Sequence, residues 1–143
     1  MYNNQQKKGI ITELLIAAKF TEMGYIVSVP FGNTARYDLL IDTGNIIYRG
    51  QCKTAKLQSN GSYIINTCNK VETKTKRIIK HYTADQINFI VSIIEDFLVV
   101  IPVSNIETSR SKVFRVSIPD KGTKSTCNLI EDYSFQKILE KEG

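Results

Sequence analysis

The stretch Tyr37-Asp-Leu-Leu-Ile-Asp-Thr-Gly-Asn-Ile-Ile-Tyr-Arg-Gly-Gln-Cys-Lys-Thr54 decides the fold of this chain. Two runs rich in Ile, Leu and Tyr flank Thr43-Gly-Asn45, a combination that favours a tight turn. The pattern predicts a β-hairpin with strands over residues 37–42 and 46–54. The apolar residues of both runs are nearly continuous, which is typical of strands that are covered on both faces.

The segments around this hairpin predict a mixed α/β fold. Upstream, residues 9–23 are helix-forming with a broad apolar surface, so we expect a mostly buried helix, with Gly24 as its C-terminal stop. Further strands are predicted over residues 25–29, 63–66, 87–94 and 97–102, and a second helix over 132–142. This order predicts one domain, residues 1–143, with a central sheet flanked by helices.

Composition limits the class of protein. The chain has 143 residues, of which 42% are hydrophobic and 23% charged, as in an ordinary folded domain. No apolar stretch approaches the roughly 20 residues that span a bilayer. The N-terminus lacks the pattern of a signal peptide, so we expect a cytoplasmic protein without a membrane partner. The three cysteines are odd in number and widely spaced, which favours buried free thiols over a zinc site or disulfides.

A net charge of +5 and a pI near 9.1 favour an anionic partner such as nucleic acid. The most basic stretch covers residues 69–82, where Glu72 is the sole acid. By default such a stretch is a solvated face. If the partner is DNA, this stretch would instead contact its phosphates, and the predicted DNA-contacting residues there are Lys70, Lys74, Lys76, Arg77 and Lys80.

Three polar side chains of the hairpin are predicted to converge. Side chains alternate along a strand, so Gln51 and Lys53 share a face, and the turn brings Asp38 close to Gln51. Phosphodiester hydrolysis needs a hard cation held by oxygen ligands, an acidified water, and stabilisation of the charge on phosphorus. Asp38, the Gln51 amide and the backbone carbonyl of Cys52 are the predicted metal ligands. Lys53 is predicted to orient the water and stabilise the developing charge.

Glu13 is a further candidate for this centre. A helical projection places it beside Ile10, Ala17 and Phe20, in an otherwise apolar sector of the first predicted helix. A solvated helix residue is the alternative. A carboxylate in an apolar sector is costly unless it serves a purpose, so we predict that Glu13 is a catalytic metal ligand.

The segments Arg36–Asp42 and Arg49–Thr54, with Gly9-x-x-x-Glu13 upstream, resemble the PD-(D/E)XK nucleases, especially the small branch that includes group I intron-encoded homing endonucleases. The resemblance covers the first half of the chain well and the second half only through its order of elements. It implies a restriction-endonuclease-like αβββαβ core, Mg²⁺ as the cofactor and double-stranded DNA as the substrate. It also implies a symmetric homo-oligomer, either a dimer or a tetramer.

Two positions depart from the motif of these nucleases. Tyr37 stands where the motif has proline, a residue that does no chemistry. Gln51 replaces the second carboxylate and removes a negative charge from the metal site. Glu13 offers a compensating carboxylate, and Gln-x-Lys also occurs in the homing branch, so the resemblance still implies an active enzyme.

Three functions fit these observations. The first is a site-specific homing endonuclease, in which the loop residues Asn33, Thr34 and Arg36, together with Arg49, contact DNA near the scissile phosphate. The second is a Holliday-junction resolvase or restriction enzyme on the same fold. The third is a DNA-binding module whose centre is inactive, an interpretation that rests on Gln51.

Overall fold

In a computed structural model that describes residues 1–106, 108–120 and 127–142, the chain forms an α/β arrangement. The helices are α1 (Asn4–Glu22) and α2 (Phe135–Glu142). The strands are β1 (Ile26–Ser28), β2 (Leu39–Asp42), β3 (Ile47–Cys52), β4 (Lys56–Leu57), β5 (Tyr63–Asn66), β6 (Cys68–Glu72), β7 (Arg77–His81), β8 (Phe89–Ile94), β9 (Phe97–Pro102) and β10 (Ser111–Phe114).

A five-stranded mixed sheet is the centre of the fold. Its order is β1-β2-β3-β8-β9, and all neighbours are antiparallel except β3 and β8, which run parallel. A small sheet, β10-β5-β4, and a separate hairpin, β6-β7, complete the described strands. The predicted mixed α/β fold with a central sheet is confirmed.

The predicted central hairpin forms with slightly shorter strands. Its turn is closed by Thr43, which exchanges backbone and side-chain hydrogen bonds with Ile46, and Gly44 adopts a φ of +91°. β2 and β3 pair with Leu39 opposite Gly50. Beyond this pair the Asp38 N–H donates to the Gly50 carbonyl at 2.9 Å, and the Cys52 N–H donates to the side chain of Asp38 at 2.9 Å instead of to a backbone carbonyl.

The central sheet separates two apolar cores. On one face, Ile16 and Phe20 of α1 and Phe135 and Ile138 of α2 pack against β2, β3, β8 and β9. The other face is covered by strand residues, including Ile65 of β5 and Phe114 of β10, and by the short 3-10 helix Ile130–Tyr133. Both helices therefore lie on the same face of the sheet. We expected helices to flank the sheet, and the structure places them on one side of it.

The connection from β3 to β8 differs from the αβββαβ order that the resemblance implied. In place of a helix, this part of the chain forms β4, β5 and the β6-β7 hairpin, followed by a turn at residues 84–86. The basic stretch predicted to lie on the surface is this hairpin, and most of its residues are exposed. Polar and basic residues are tolerated in these strands because the two strands pair with each other and most of their side chains face solvent.

Helix α1 differs from the predicted helix in two respects. It begins at Asn4 instead of Gly9, because Asn3 and Gln6 form a capping box that satisfies two backbone N–H groups at the N-terminus. The expectation of a mostly buried helix was wrong. Ile16 and Phe20 are fully buried, but the opposite face of α1 is apolar and exposed, as the exposed fractions of Ile11 (54%), Leu14 (66%) and Leu15 (50%) show.

The remaining local features follow the sequence closely. Strands β5 and β9 have the predicted bounds, and the C-terminal helical segment divides into a 3-10 helix and α2. Cys52 and Cys68 are buried free thiols, and Cys127 is partly exposed. Among the described residues, no helix combines the length and the hydropathy needed to cross a bilayer.

Gly50 is required by close packing at the middle of β3. A Cβ atom at this position would lie 2.9 Å from Cε1 of Phe89 and 3.4 Å from Cδ1 of Ile41. Phe89 is fully buried and packs against the rings of Phe20, Tyr48 and Phe135, so it has little room to move. Any side chain at position 50 would therefore disturb the aromatic core beneath α1 and α2.

We predict that Gly50→Ala lowers the free energy of unfolding by about 1–3 kcal/mol, the usual cost of overpacking a core. The matched control is Gly9→Ala, because a Cβ at Gly9 meets nothing within 4 Å and the residue lies inside α1. That substitution should raise stability by about 0.5–1 kcal/mol. Urea denaturation of both variants tests the pair, and equal effects of the two would contradict this account of Gly50.

Candidate active site

Two carboxyl groups meet at the open end of the central hairpin. Asp38 precedes β2, and its carboxylate is held by the backbone N–H of Cys52. Glu13 reaches toward it from α1, close enough that the charge of Asp38 raises the pKa of Glu13. The helix therefore supplies one carboxyl group and the hairpin the other, although 25 residues separate them in the sequence.

Burial raises the pKa of both carboxyl groups. Burial is the main cause that raises the pKa of Glu13, and the neighbouring Asp38 raises it further. Burial also raises the pKa of Asp38, against the lowering effects of the Cys52 N–H and of Lys53. Burial and the neighbouring charge make it costly to ionise both carboxyl groups together, so a cation bound between them would be stabilised.

An open cleft of about 390 Å³ lies over the carboxyl pair. Gln51 and Cys52 of β3 line it, with the Gln51 amide 3.5 Å from the Cys52 backbone carbonyl. On one side of the cleft the hydroxyl groups of Thr12 and Thr54 are 2.9 Å apart and join α1 to the segment after β3. The cleft is open enough to admit a phosphate group and solvent.

The donor groups in this cleft suit a hard divalent cation. The carboxylates of Glu13 and Asp38, the Gln51 amide and the carbonyl of Cys52 are all oxygen donors, which Mg²⁺ prefers. In the described part of the chain no cluster of three or more His, Cys, Asp or Glu residues forms a metal site. The third side-chain oxygen would therefore come from the Gln51 amide, and the residues present fit a cation that neutralises two carboxylates.

Lys53 is held beside this cleft by residues of the β6-β7 hairpin. Its Nζ donates to Oδ1 of Asn69 at 3.0 Å and lies 5.3 Å from the ring centroid of Tyr82. The Tyr82 hydroxyl donates to the same Asn69 oxygen at 2.7 Å. Burial lowers the pKa of Lys53, while Asp38 opposes that shift, and burial raises the pKa of Tyr82 to about 12. The ammonium group is thus fixed in a partly dry position.

Sequence reasoning missed Asn69 and Tyr82. They belong to the stretch that was predicted to contact DNA through its charges, and neither residue stands in a spacing that marks a site. Asn69 begins the basic run and Tyr82 ends it. The pairing of Asn69 with Lys80 across β6 and β7 closes the hairpin and brings both ends to Lys53.

The structure gives two of the predicted DNA-contacting arginines, Arg36 and Arg49, internal partners. Arg36 stacks on the ring of Tyr82 with its Cζ 4.5 Å from the centroid, and it donates to the His81 carbonyl at 3.4 Å. Arg49 donates to the Asp85 carbonyl at 2.8 Å. Asn33 and Thr34 are exposed in the loop before Arg36. Arg36 therefore packs against Tyr82, which also contacts Lys53, whereas Arg49 holds the turn that precedes β8.

The predicted phosphate-contacting residues of the hairpin do not share one face. Lys70 and Arg77 lie on one face, where Arg77 pairs with Glu72 at 2.6 Å. Lys80 lies on the opposite face, which also carries Asn69. Lys74 and Lys76 occupy the turn between the strands. The free charges at the turn and on the Asn69 face are therefore the best placed to reach a DNA backbone near Lys53.

A mixed sheet with carboxylates, an amide and a lysine at its open hairpin defines a nuclease fold of the restriction-endonuclease type. A family model for PD-(D/E)XK endonucleases matches residues 3–136, and the chain belongs to this family, which makes it a nuclease. The resemblance predicted from the sequence is confirmed.

Among solved structures, the chain is similar to a bacterial homing endonuclease, I-Ssp6803I, with a TM-score of 0.82. The match covers 98% of this chain and 96% of that chain at 21% sequence identity. At this identity the likeness establishes a shared fold. A comparison with curated proteins found no match.

We predict that, in metal-free buffer, the carboxyl pair lowers the free energy of unfolding as the pH rises. Their raised pKa values mean that the folded chain holds protons that the unfolded chain has released, so this contribution to stability is lost as the pH rises through the raised values. Glu13→Gln keeps the side-chain shape and removes the repulsion. Relative to wild type it should be more stable at neutral pH, and the difference should vanish as the pH falls to about 4.

Urea denaturation from pH 4 to pH 8 in the presence of EDTA measures this difference. A Glu13→Gln variant whose stability relative to wild type does not change with pH would show that the carboxyl pair is not coupled.

Proposed function

We propose that this chain is a site-specific, Mg²⁺-dependent endonuclease that hydrolyses phosphodiester bonds of double-stranded DNA, of the homing type. The observation that carries the proposal is the carboxyl pair of Glu13 and Asp38 beside an ammonium group fixed by Asn69. A cation between the two carboxylates would be stabilised, and the lysine places a further positive charge near the place where a phosphate would enter. Family membership and the fold of the bacterial homing endonuclease support the same assignment.

Glu13, Asp38, the Gln51 amide and the Cys52 carbonyl would hold the cation. When bound, Mg²⁺ makes a water molecule more acidic and offsets the charge of the phosphate oxygens. The chain itself positions the ligands before the cation binds. The Cys52 N–H holds the Asp38 carboxylate, and α1 carries Glu13. Because residue 51 is Gln and not an acid, the site has two carboxylates, those of Glu13 and Asp38. The two positive charges of one Mg²⁺ would balance them.

Lys53 would act on the phosphate and the attacking water. Its Nζ is held at 3.0 Å from Asn69 and is kept from turning by the ring of Tyr82, so the charge is in place before the substrate binds. Preorganised positive charge stabilises the extra negative charge of a phosphorane-like transition state more than it stabilises the bound phosphodiester. Lys53 would thus lower the barrier without contributing much to DNA affinity.

The homing type and an oligomeric assembly are proposed from size as well as from likeness. One domain of 143 residues covers few base pairs, so a long site requires repeated copies, usually with two-fold symmetry on a pseudo-palindrome. We therefore propose a homo-oligomer, a dimer or a tetramer, in which each copy presents one β6-β7 hairpin to the DNA.

The first test is cleavage of intron-free genomic DNA from a related host by wild-type and Lys53→Ala protein, in Mg²⁺ and in EDTA, with sequencing of the new ends. Discrete ends should form only with wild type in Mg²⁺. Lys53→Ala should reduce the cleavage rate by roughly 100- to 1000-fold, because one preorganised charge is lost, while DNA binding changes little. Lys141→Ala, which changes an exposed lysine of α2, is the control and should cleave normally.

Other outcomes of this experiment are equally informative. Tight DNA binding without Mg²⁺-dependent ends on linear or four-way-junction DNA would identify an inactive binding module and overturn the proposed activity. Cleavage of four-way junctions alone would identify a resolvase. Equal losses of binding and cleavage in Lys53→Ala would contradict the role assigned to that residue.

The turn of the β6-β7 hairpin should contribute phosphate contacts. We predict that the double variant Lys74→Ala, Lys76→Ala weakens DNA binding and reduces the slope of log affinity against log salt by about 2, since each lost contact contributes roughly 0.9. The control is Lys137→Ala, Lys141→Ala on α2, which removes the same charge elsewhere. Titrations between low and moderate salt measure both slopes, and identical slopes for the two double variants would show that the turn does not contact phosphate.

A further inference from the structure

Helix α1 carries a second apolar face, which is exposed to solvent. Its buried residues, Ile16 and Phe20, lie in the core under the central sheet. On the opposite side of the same helix, Ile11, Leu14, Leu15 and Ala18 are exposed. The spacing 11, 14, 15, 18 places these four side chains in one stripe, because residues three and four apart lie on the same side of a helix. We call it the outer stripe.

The outer stripe places several apolar side chains next to one another in solvent. Exposed fractions of 54%, 66% and 50% for Ile11, Leu14 and Leu15 belong to neighbouring side chains on a rigid helix. Single exposed apolar residues are common on soluble proteins, but a contiguous group of this kind marks an interaction site. The polar residues of α1 border the stripe and do not cover it.

The charges at its two ends identify the partner. Lys7 precedes Ile11 by four residues, and Glu22 follows Ala18 by four residues, so both extend the stripe on the same side of the helix, and both are exposed. The series 7, 11, 14, 15, 18, 22 is symmetric about the point between Leu14 and Leu15. If two copies of α1 pair antiparallel about that point, Leu14 meets Leu15 of the other copy, Ile11 meets Ala18, and Lys7 meets Glu22 twice.

These two charges stand at the unfavourable ends of their own helix. The N-terminus of a helix carries partial positive charge and the C-terminus partial negative charge, so Lys7 and Glu22 each oppose the dipole of α1. In an antiparallel pair each would lie beside the favourable end of the other helix. A parallel pair would instead place Lys7 beside Lys7 and Glu22 beside Glu22. Only the antiparallel arrangement is complementary in both charge and apolar pattern.

We infer that the outer stripe binds the same stripe of a second copy of this chain, in an antiparallel, two-fold pair of α1 helices. This deepens the homo-oligomer of the proposed function by naming its surface. The interface is isologous, as a closed dimer requires. Because Glu13 lies on the inner side of α1, pairing through the outer stripe leaves the active-site cleft open in both copies.

The test measures mass in solution without DNA, by sedimentation and light scattering over a dilution series. Leu14→Glu should halve the mass of the assembly and raise the dissociation constant at least about 100-fold, because it places a charge in the middle of an apolar contact. Leu14 is 66% exposed in the single chain, so folding should be unaffected, as the circular dichroism spectrum will show. Val113→Glu, at an exposed apolar residue of β10, is the control and should keep the wild-type mass.

A charge-exchange series tests the antiparallel geometry. Glu22→Lys or Lys7→Glu alone puts like charges together at both ends and should weaken the pair about 5- to 30-fold, whereas Lys7→Glu combined with Glu22→Lys should restore it. A monomeric wild type at 100 µM (roughly the top of the dilution series), an unchanged mass in Leu14→Glu, or no rescue by the double exchange would overturn the inference. If an oligomer persists in Leu14→Glu, another surface assembles it, and DNA cleavage by that variant shows whether the proposed function stands.

Discussion

The hydrogen bond from the Cys52 N–H to the Asp38 carboxylate is the contact on which the site depends. It forms where the β2-β3 ladder ends, so a side chain takes the position that a backbone acceptor would have in a continuing strand. This hydrogen bond orients the carboxylate. It also lets the Cys52 carbonyl and the Gln51 side chain face the cleft. Glu13, Gln51 and Lys53 are then arranged around a fixed acid instead of around a mobile one.

The hairpin and the proximity of Asp38 to Gln51 could be predicted from sequence because their determinants are local. Asp38 and Gln51 are 13 positions apart, and one turn with Gly44 is enough to bring them together. Glu13 could be found because a carboxylate in an apolar sector is conspicuous. The support of Lys53 could not be found, because Asn69 and Tyr82 reach it through a hairpin whose sequence has few apolar residues and no alternation that indicates strands.

The exposed face of α1 was missed for a related reason. Periodicity shows which helix residues are apolar, but two apolar faces on one helix look the same as one broad face until the position of the sheet is known. The sequence therefore predicted a mostly buried helix, whereas Leu14 and Leu15 are exposed. The expected helix between β3 and β8 failed because the order of elements was carried over from the resemblance, whereas this chain makes four short strands there.

Helix α1 has one face toward the acids of the cleft and the other toward solvent, and this geometry bears on the ends that cutting leaves. A pair of such helices would hold two cleavage centres at a fixed separation. That separation would depend on the helix rise of about 1.5 Å per residue. The offset between the two cut positions would then be set by the register in which the two helices pair. A slip by one turn would displace the centres by about 5.4 Å, more than the rise of one base pair, and so change the overhang.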